Sequence, residues 1–246
     1  MVGSLFRAAI VGACASLTAV AAADAEGVRN VLELFTSQGC SSCPPADRIL
    51  RDLARDPNTL ALSFPVDYWD YIGWKDTFAA PTYTARQKAY ALATGKGHLY
   101  TPQMIVNGLA EVIGSDKDAI EQAERDTGRR DGVLSVPLVV TERGDKIHIS
   151  IGAAATPPSH PAGVYLLDYA SSRTVTIQRG ENAGSTLTYA NVVRAMNKIG
   201  DWTGGALDLE ADVAQGHLDG ADSYAVILQA GGRTQPSAIL AAARGP

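Results

Sequence analysis

Cys40-Ser41-Ser42-Cys43 is the one place in the sequence where two thiols stand close enough to react with each other. Two sulfurs at this spacing either close a disulfide or open to a dithiol, and thiolate attack on a disulfide sulfur moves a pair of electrons between them. A bridge across so short a loop restricts the unfolded chain little, because the entropic benefit grows with loop length. Redox chemistry is therefore favoured over a purely structural bridge. The preceding residues read as a strand and the following ones as a helix. That order sets Cys40 at a helix N-terminus, where free N–H groups and the helix dipole favour the thiolate. Cys43 is expected one turn in, sheltered and suited to resolving a mixed disulfide. Ser41 and Ser42 place no charge between the cysteines and offer hydroxyls to a sulfur.

The elements that must hold this pair are legible around it. Val31-Leu32-Glu33-Leu34-Phe35-Thr36 is a mostly apolar, β-prone run, as a strand covered on both faces would be. Ser37-Gln38-Gly39 is loop, and Pro44-Pro45 suits a first helical turn, where a missing N–H has no partner to lose. Ile49, Leu50 and Leu53 share a helix face that ends near Asp56-Pro57-Asn58. Leu60 to Val66 is a second β-prone run, so the order is a parallel βαβ unit. Pro81 to Thr94 reads as a helix. Met104 to Val106, Asn107-Gly108 and Leu109 to Ile113 read as a hairpin with a two-residue turn. Ser115 is expected to cap a helix from Asp116 to about Arg125.

Between these elements lies an aromatic segment, Asp67-Tyr68-Trp69-Asp70-Tyr71-Ile72-Gly73-Trp74-Lys75-Asp76. The C-terminal ends of parallel strands border a ligand crevice, and those ends also carry Cys40. Asp67, Trp69, Asp70, Trp74 and Asp76 are thus candidates for a substrate wall; the alternative is that the rings pack the inserted helix onto the sheet while the acids cap turns. Arg86 is expected either to pair with one of those acids or to lie on a solvated helix face. Glu33, close to the pair in sequence, is a candidate proton shuttle or an ordinary strand-end carboxylate.

Thr101-Pro102-Gln103-Met104-Ile105-Val106-Asn107-Gly108 resembles the second half of the thioredoxin superfamily signature. That resemblance implies a cis-proline at Pro102 packed beside the redox pair, and backbone groups of Thr101 presented to an extended substrate. The resemblance is closer still to a secreted thioredoxin-like family of bacteria, a domain of unknown function. Its recurring pieces match Leu34 to Asp47, Val66 to Asp70 with Gly73-Trp74-Lys75-Asp76, and Tyr100-Thr101-Pro102-Gln103. The likeness to that family spans nearly all of the chain beyond the leader, and the superfamily likeness spans residues 28–128. Ordinary thioredoxins have Trp-Cys-Gly-Pro-Cys where this chain has Gly39-Cys40-Ser41-Ser42-Cys43, so no redox potential carries over.

The rest of the chain bounds what the pair can do. Residues 1–25 combine Arg7 with a short, alanine-rich apolar run and small residues at a signal-peptidase spacing, which reads as a secretory signal peptide. A secreted or periplasmic location is expected. Val11-Gly12-Ala13-Cys14 faintly resembles a lipoprotein cleavage site, but the apolar stretch continues past it. Cys14 is therefore expected to leave with the leader, and the mature chain to keep only the Cys40–Cys43 pair in an oxidising compartment. No later segment reaches the roughly 20 apolar residues of a membrane span. The formal net charge of −5 and the absence of clustered Lys and Arg argue against nucleic acid.

The fold expected is an α/β thioredoxin-like domain over 26–130, a mixed sheet flanked by helices with a helical insertion. A mostly β, sandwich-like region is expected over 131–246, its runs separated by turn residues. Tyr224, six residues after Leu218, is a candidate Greek-key tyrosine corner. The leading function is thiol–disulfide exchange with a protein or small-molecule thiol or disulfide, with no cofactor and no metal. Soft-metal handling, with the two thiolates holding Cu(I), is one alternative, although the four histidines are scattered. A binding module with an inert disulfide is the other.

Overall fold

The computed structural model describes residues 27–95, 97–213 and 220–245. The expected signal peptide and Leu218 lie outside these residues. The chain folds as a mixed α/β structure built on a large sheet with helices against it. Strand β1 (Asn30–Thr36) leads through the cysteine turn into helix α1 (Pro44–Leu53), and β2 (Thr59–Pro65) returns parallel to β1 over its whole length. The aromatic segment contains a single 3-10 turn (Asp70–Ile72), and helix α2 (Pro81–Ala93) comes after it. Then come β3 (Gln103–Val106), β4 (Ala110–Ile113) and α3 (Lys117–Gly128).

Side-chain alternation along β1 decides where each helix packs. Val31 and Phe35 face one side with Leu62 and Phe64 of β2 and with Tyr83 and Tyr90 of α2. Leu32 and Leu34 face the other, against Ala46 and Leu50 of α1 and Ile120 of α3. Both faces are covered, which is why β1 and β2 read as continuous apolar runs.

Two local expectations are corrected. The Asn107-Gly108 turn does close with a bond from Leu109 N to Val106 O (3.0 Å), but the ladder pairs Val106 with Ala110, leaving a three-residue connection. Asn107 is tied elsewhere: its side chain accepts from Val31 N (2.7 Å) and donates to Thr127 Oγ1 (2.9 Å), and its carbonyl accepts from Ile239 N. Helix α3 is capped by Asp116, whose carboxylate accepts from Ala119 N (3.0 Å), not by Ser115.

Beyond residue 130 the strands divide between two sheets. β5 (Leu138–Arg143), β6 (Lys146–Ile151) and β9 (Leu207–Asp212) form one of three strands. β7 (Ala162–Thr176), β8 (Thr186–Trp202), β10 (Ser223–Gln229) and β11 (Ile239–Arg244) continue the sheet of β1–β4, in the order β11-β10-β7-β8-β2-β1-β3-β4. The regions share one hydrophobic core, in which Phe64 and Tyr83 pack with Leu167 and Ile227, but the backbone ladder between them is short. β8 pairs with β2 in parallel at one position, Ser63 with Val192. Side chains reinforce that ladder: Ser63 Oγ donates to Ala190 O, Asn191 Nδ2 to Ala61 O and Tyr83 Oη to Val193 O, each at 2.8 Å. Asn191 takes a left-handed backbone (φ 46°) to aim its amide, a conformation asparagine tolerates better than most residues. Among the described residues no helix is long and apolar enough to cross a membrane.

Candidate functional site

Cys40 and Cys43 are joined as a disulfide at the turn between β1 and α1, with their Cα atoms 5.4 Å apart. A bond from Cys43 N to Cys40 O (3.2 Å) closes that turn. The helix begins later than its sequence suggests: α1 starts at Pro44, and Cys43 occupies the N-cap position. Cys40 therefore lies a turn ahead of the helix and Cys43 at its mouth. Pro44 and Pro45 carry no N–H, so two of the donors that a helix start ordinarily offers to an anion are missing. Both cysteines are covered, Cys40 being 1% exposed and Cys43 0%. Ser41 and Ser42 are exposed beside them. Ser42 Oγ lies 3.4 Å from Cys40 Sγ and reaches Thr101 O at 3.5 Å.

The second half of the motif comes to the same place. The Thr101–Pro102 peptide bond is cis, Pro102 is buried, and Pro102 O accepts from Gly114 N (2.9 Å). Trp69 Nε1 donates to Thr101 Oγ1 (2.8 Å), so the aromatic segment is attached to the proline loop. Trp74 Nε1 donates to Gln38 Oε1 (2.8 Å), fixing the residue two before Cys40. Gly39 is pressed against this segment: a Cβ there would lie 3.1 Å from Ile72 and 3.2 Å from Trp69. The two tryptophans thus hold side chains on either hand of the disulfide, Thr101 before the cis-proline and Gln38 before Cys40. The acids of the segment do something else. Asp67 accepts from Thr84 Oγ1 on α2 (2.5 Å), and Asp70 Oδ1 accepts from Asp76 N (3.0 Å). These contacts tie Asp67 to helix α2 and Asp70 to the turn before it.

Arg86 pairs with neither Asp67 nor Asp70. It forms a two-pronged bridge to Glu33, with Nε to Oε2 at 2.5 Å and Nη2 to Oε1 at 2.8 Å. Glu33 also accepts from Tyr90 Oη (2.6 Å), and Gln229 completes the group through Arg86 and Tyr90. Burial alone would lower the Arg86 pKa, but the Glu33 carboxylate beside it raises it. Glu33 points to the α2 side of the sheet with Val31 and Phe35, while the cysteine turn leads into α1 on the opposite side. The carboxylate is thereby tied to the α2 face.

Two acids are buried at the cysteine turn, and one is Asp47, four residues after Cys43 on α1. Its Oδ1 accepts from Thr36 Oγ1 (2.8 Å), and Oδ2 has no hydrogen-bond partner among the described residues. Burial pushes its pKa up to about 7, only partly offset by Thr36. Asp76 lies close enough to add repulsion, and is itself pushed up to about 6 by burial, against bonds from Gln38 N and Phe78 N (2.8 Å each). Burial raises the pKa of Tyr189 on β8, and the two carboxylates add to that rise. In sequence, Asp47 reads as an ordinary first-turn acid favoured by the helix dipole. The signal that would have found it is spacing, since Asp47 lies between the buried Ala46 and Leu50 on the inward stripe.

A further residue comes from far along the chain. The loop joining β7 to β8 brings Asn182 onto the cysteine turn, where Nδ2 donates to Gln38 O and to Cys40 O, both at 2.9 Å. Ser41 N donates to Glu181 Oε2 (3.3 Å). No local pattern could have marked residues about 140 positions away from their partners. Among the described residues, no cluster of three or more His, Cys, Asp or Glu side chains is arranged to hold a metal ion.

Two solved structures resemble this one. A protein of Agrobacterium tumefaciens shares 34% of its residues and superimposes with a TM-score of 0.78, covering 89% of this chain and 94% of its own. HBP35 of Porphyromonas gingivalis shares 14%, with a TM-score of 0.53 over 89% of this chain and 74% of its own, a likeness of fold alone. No curated protein matches the chain. Residues 31–229 match the family described as a protein of unknown function (DUF1223), and to that family the chain belongs.

Proposed function

We propose that the protein is an exported, thioredoxin-like thiol–disulfide exchange protein whose reacting atoms are the sulfurs of Cys40 and Cys43. The observation that carries this reading is the disulfide in a strand-to-helix turn beside Thr101 and the cis bond to Pro102. The β1-α1-β2 unit, with α2, the β3-β4 hairpin and α3 after it, supports a thioredoxin-like domain in which the aromatic segment is an insertion. Export by the first 25 residues would deliver the pair to an oxidising compartment.

In the reducing direction, the Cys40 thiolate attacks a disulfide of the partner. A bond forms between Cys40 Sγ and one partner sulfur, and the other partner sulfur leaves as a thiolate. Cys43 then attacks Cys40 Sγ, the mixed disulfide breaks, and the second partner thiolate departs. Two electrons have passed to the partner, and the Cys40–Cys43 bond has formed. Disulfide donation is the same sequence reversed. Asp47, whose carboxyl titrates near neutrality behind the turn, is suited to hold a proton while Cys43 alternates between thiol and thiolate.

The test is equilibration of the leader-free protein with reduced and oxidised glutathione. A reversible two-electron transition is expected, with Cys43→Ser trapping mixed disulfides through Cys40 and Cys40→Ser trapping none. A pair that stays bridged at every glutathione ratio, or trapping that persists without Cys40, would sink the proposal.

A further inference from the structure

Exchange requires an attacking sulfur to reach the disulfide along its S–S axis, and rates fall when access is denied. Cys40 is 1% exposed, although the two serines after it are open to solvent. The turn from Ser37 to Cys43 is gripped by two segments that also touch each other. Trp69 and Ile72 press on Gly39, and Trp74 holds Gln38. The second segment is the loop between β7 and β8.

That loop is compact and self-supporting. Ile177 N donates to Ser185 O and Gly184 N to Ile177 O, closing its base, while Ala183 N and Ser185 N make turns inside it. Gly180 and Gly184 both take positive φ (80° and 82°), so the backbone bends at either end of the Glu181-Asn182-Ala183 tip. Gly180 packs on Trp74, where a Cβ would stand 3.3 Å from that side chain. At the tip, Asn182 is buried and spends both amide hydrogens on the carbonyls of Gln38 and Cys40. Glu181, which is exposed, receives Ser41 N. The loop's contacts with the turn are therefore a few neutral or exposed hydrogen bonds, each worth a modest factor in an opening equilibrium.

We propose that Asn182 is a positioning residue that latches the cysteine turn closed, so that a partner reaches Cys40 only after the 180–184 tip releases it. The inference rests on the exchange reading above. It gives the strand-rich half a function at the pair: its longest hairpin, β7-β8, sets which partners gain access. A small dithiol is admitted through a slight opening, whereas a protein dithiol needs full release of the tip.

The experiment measures second-order rates of disulfide reduction by dithiothreitol and by a reduced protein dithiol, for wild type, Asn182→Ala and Glu181→Ala. Far-ultraviolet circular dichroism and urea midpoints confirm that each protein is folded. Loss of two hydrogen bonds in N182A is expected to speed reduction by dithiothreitol about ten- to thirtyfold. The protein dithiol should gain more than dithiothreitol does, narrowing the ratio between the two reductants. A merely structural loss at Asn182 would leave that ratio where it was. E181A, an exposed change with little folding risk, should speed both reactions about two- to threefold. Equal, measurable rates in all three proteins would overturn the latch and leave the exchange reading standing. No reduction of any of the three, under conditions that reduce an exposed peptide disulfide, would overturn the exchange reading and the latch with it.

Discussion

Glu33 and Asp47 are both buried carboxylates, on opposite faces of the sheet, and their surroundings differ in kind. Glu33 meets a guanidinium, a phenol and, through them, Gln229. Asp47 meets one threonine hydroxyl, has one oxygen without a partner among the described residues, and faces a second acid, Asp76. Burial is nearly complete for each. The number and charge of the partners, not the depth, therefore separate a fixed ion pair from a group that titrates near neutrality. A buried charge with a matched, bidentate partner is held in place. One without such a partner gives up its charge instead.

The largest effect should come from breaking the matched site. Arg86→Met leaves Glu33 buried without its cation and is expected to cost about 3–5 kcal/mol in urea unfolding at pH 7. Adding Glu33→Met should return most of that loss; a double variant as unstable as R86M would show that the bridge is not what Arg86 provides.

The unmatched site should respond to pH. Asp47 releases its proton near 7 in the folded chain and near 3.8 in the unfolded one. Between those values the folded state binds more protons, so this group's contribution to stability is present below about pH 4 and is lost as pH rises through 7. Over the whole interval the change amounts to about 4 kcal/mol. Asp47→Asn should remove it, so its stability advantage over wild type grows by about that amount between pH 4 and pH 8. A gap that does not change with pH would mean that Asp47 stays ionised.

Smaller changes sharpen the contrast. Thr36→Val deletes the one hydrogen bond that lowers the Asp47 pKa. The midpoint of the pH dependence should move above 7, with a loss of about 1–3 kcal/mol at pH 8. Tyr90→Phe removes one of several donors from Glu33 and should cost about 1 kcal/mol with no new pH dependence. A cost for Y90F as large as that for R86M would argue that the phenol, rather than the guanidinium, compensates Glu33.

The same contrast explains what could be read along the chain. β1, β2, α1 and α2 were legible because burial on both faces or on one stripe writes itself into local periodicity. Strand β8 was not, since Asn191, Arg194, Asn197, Lys198 and Asp201 interrupt any apolar run. It is a strand because β7 pairs with it over nearly its whole length and because Asn191, Ser63 and Tyr83 join it to β2. β11, rich in alanine, was hidden for a similar reason, its register being set by β10. Trp69 and Trp74, read from the sequence as candidates for a substrate wall, use their indole N–H groups to hold side chains of the protein itself.

By itself the sequence determined the cysteine pair, the strand and helix that flank it, and the proline loop, because each is a pattern within a few residues. Tertiary structure decided that Cys40 is covered, that Asp47 rather than Glu33 backs the turn, and that Asn182 grips it from more than 140 residues away. The physical reason is common to all three. Burial, desolvation and long-range hydrogen bonds depend on which surfaces meet, and no local spacing encodes that meeting.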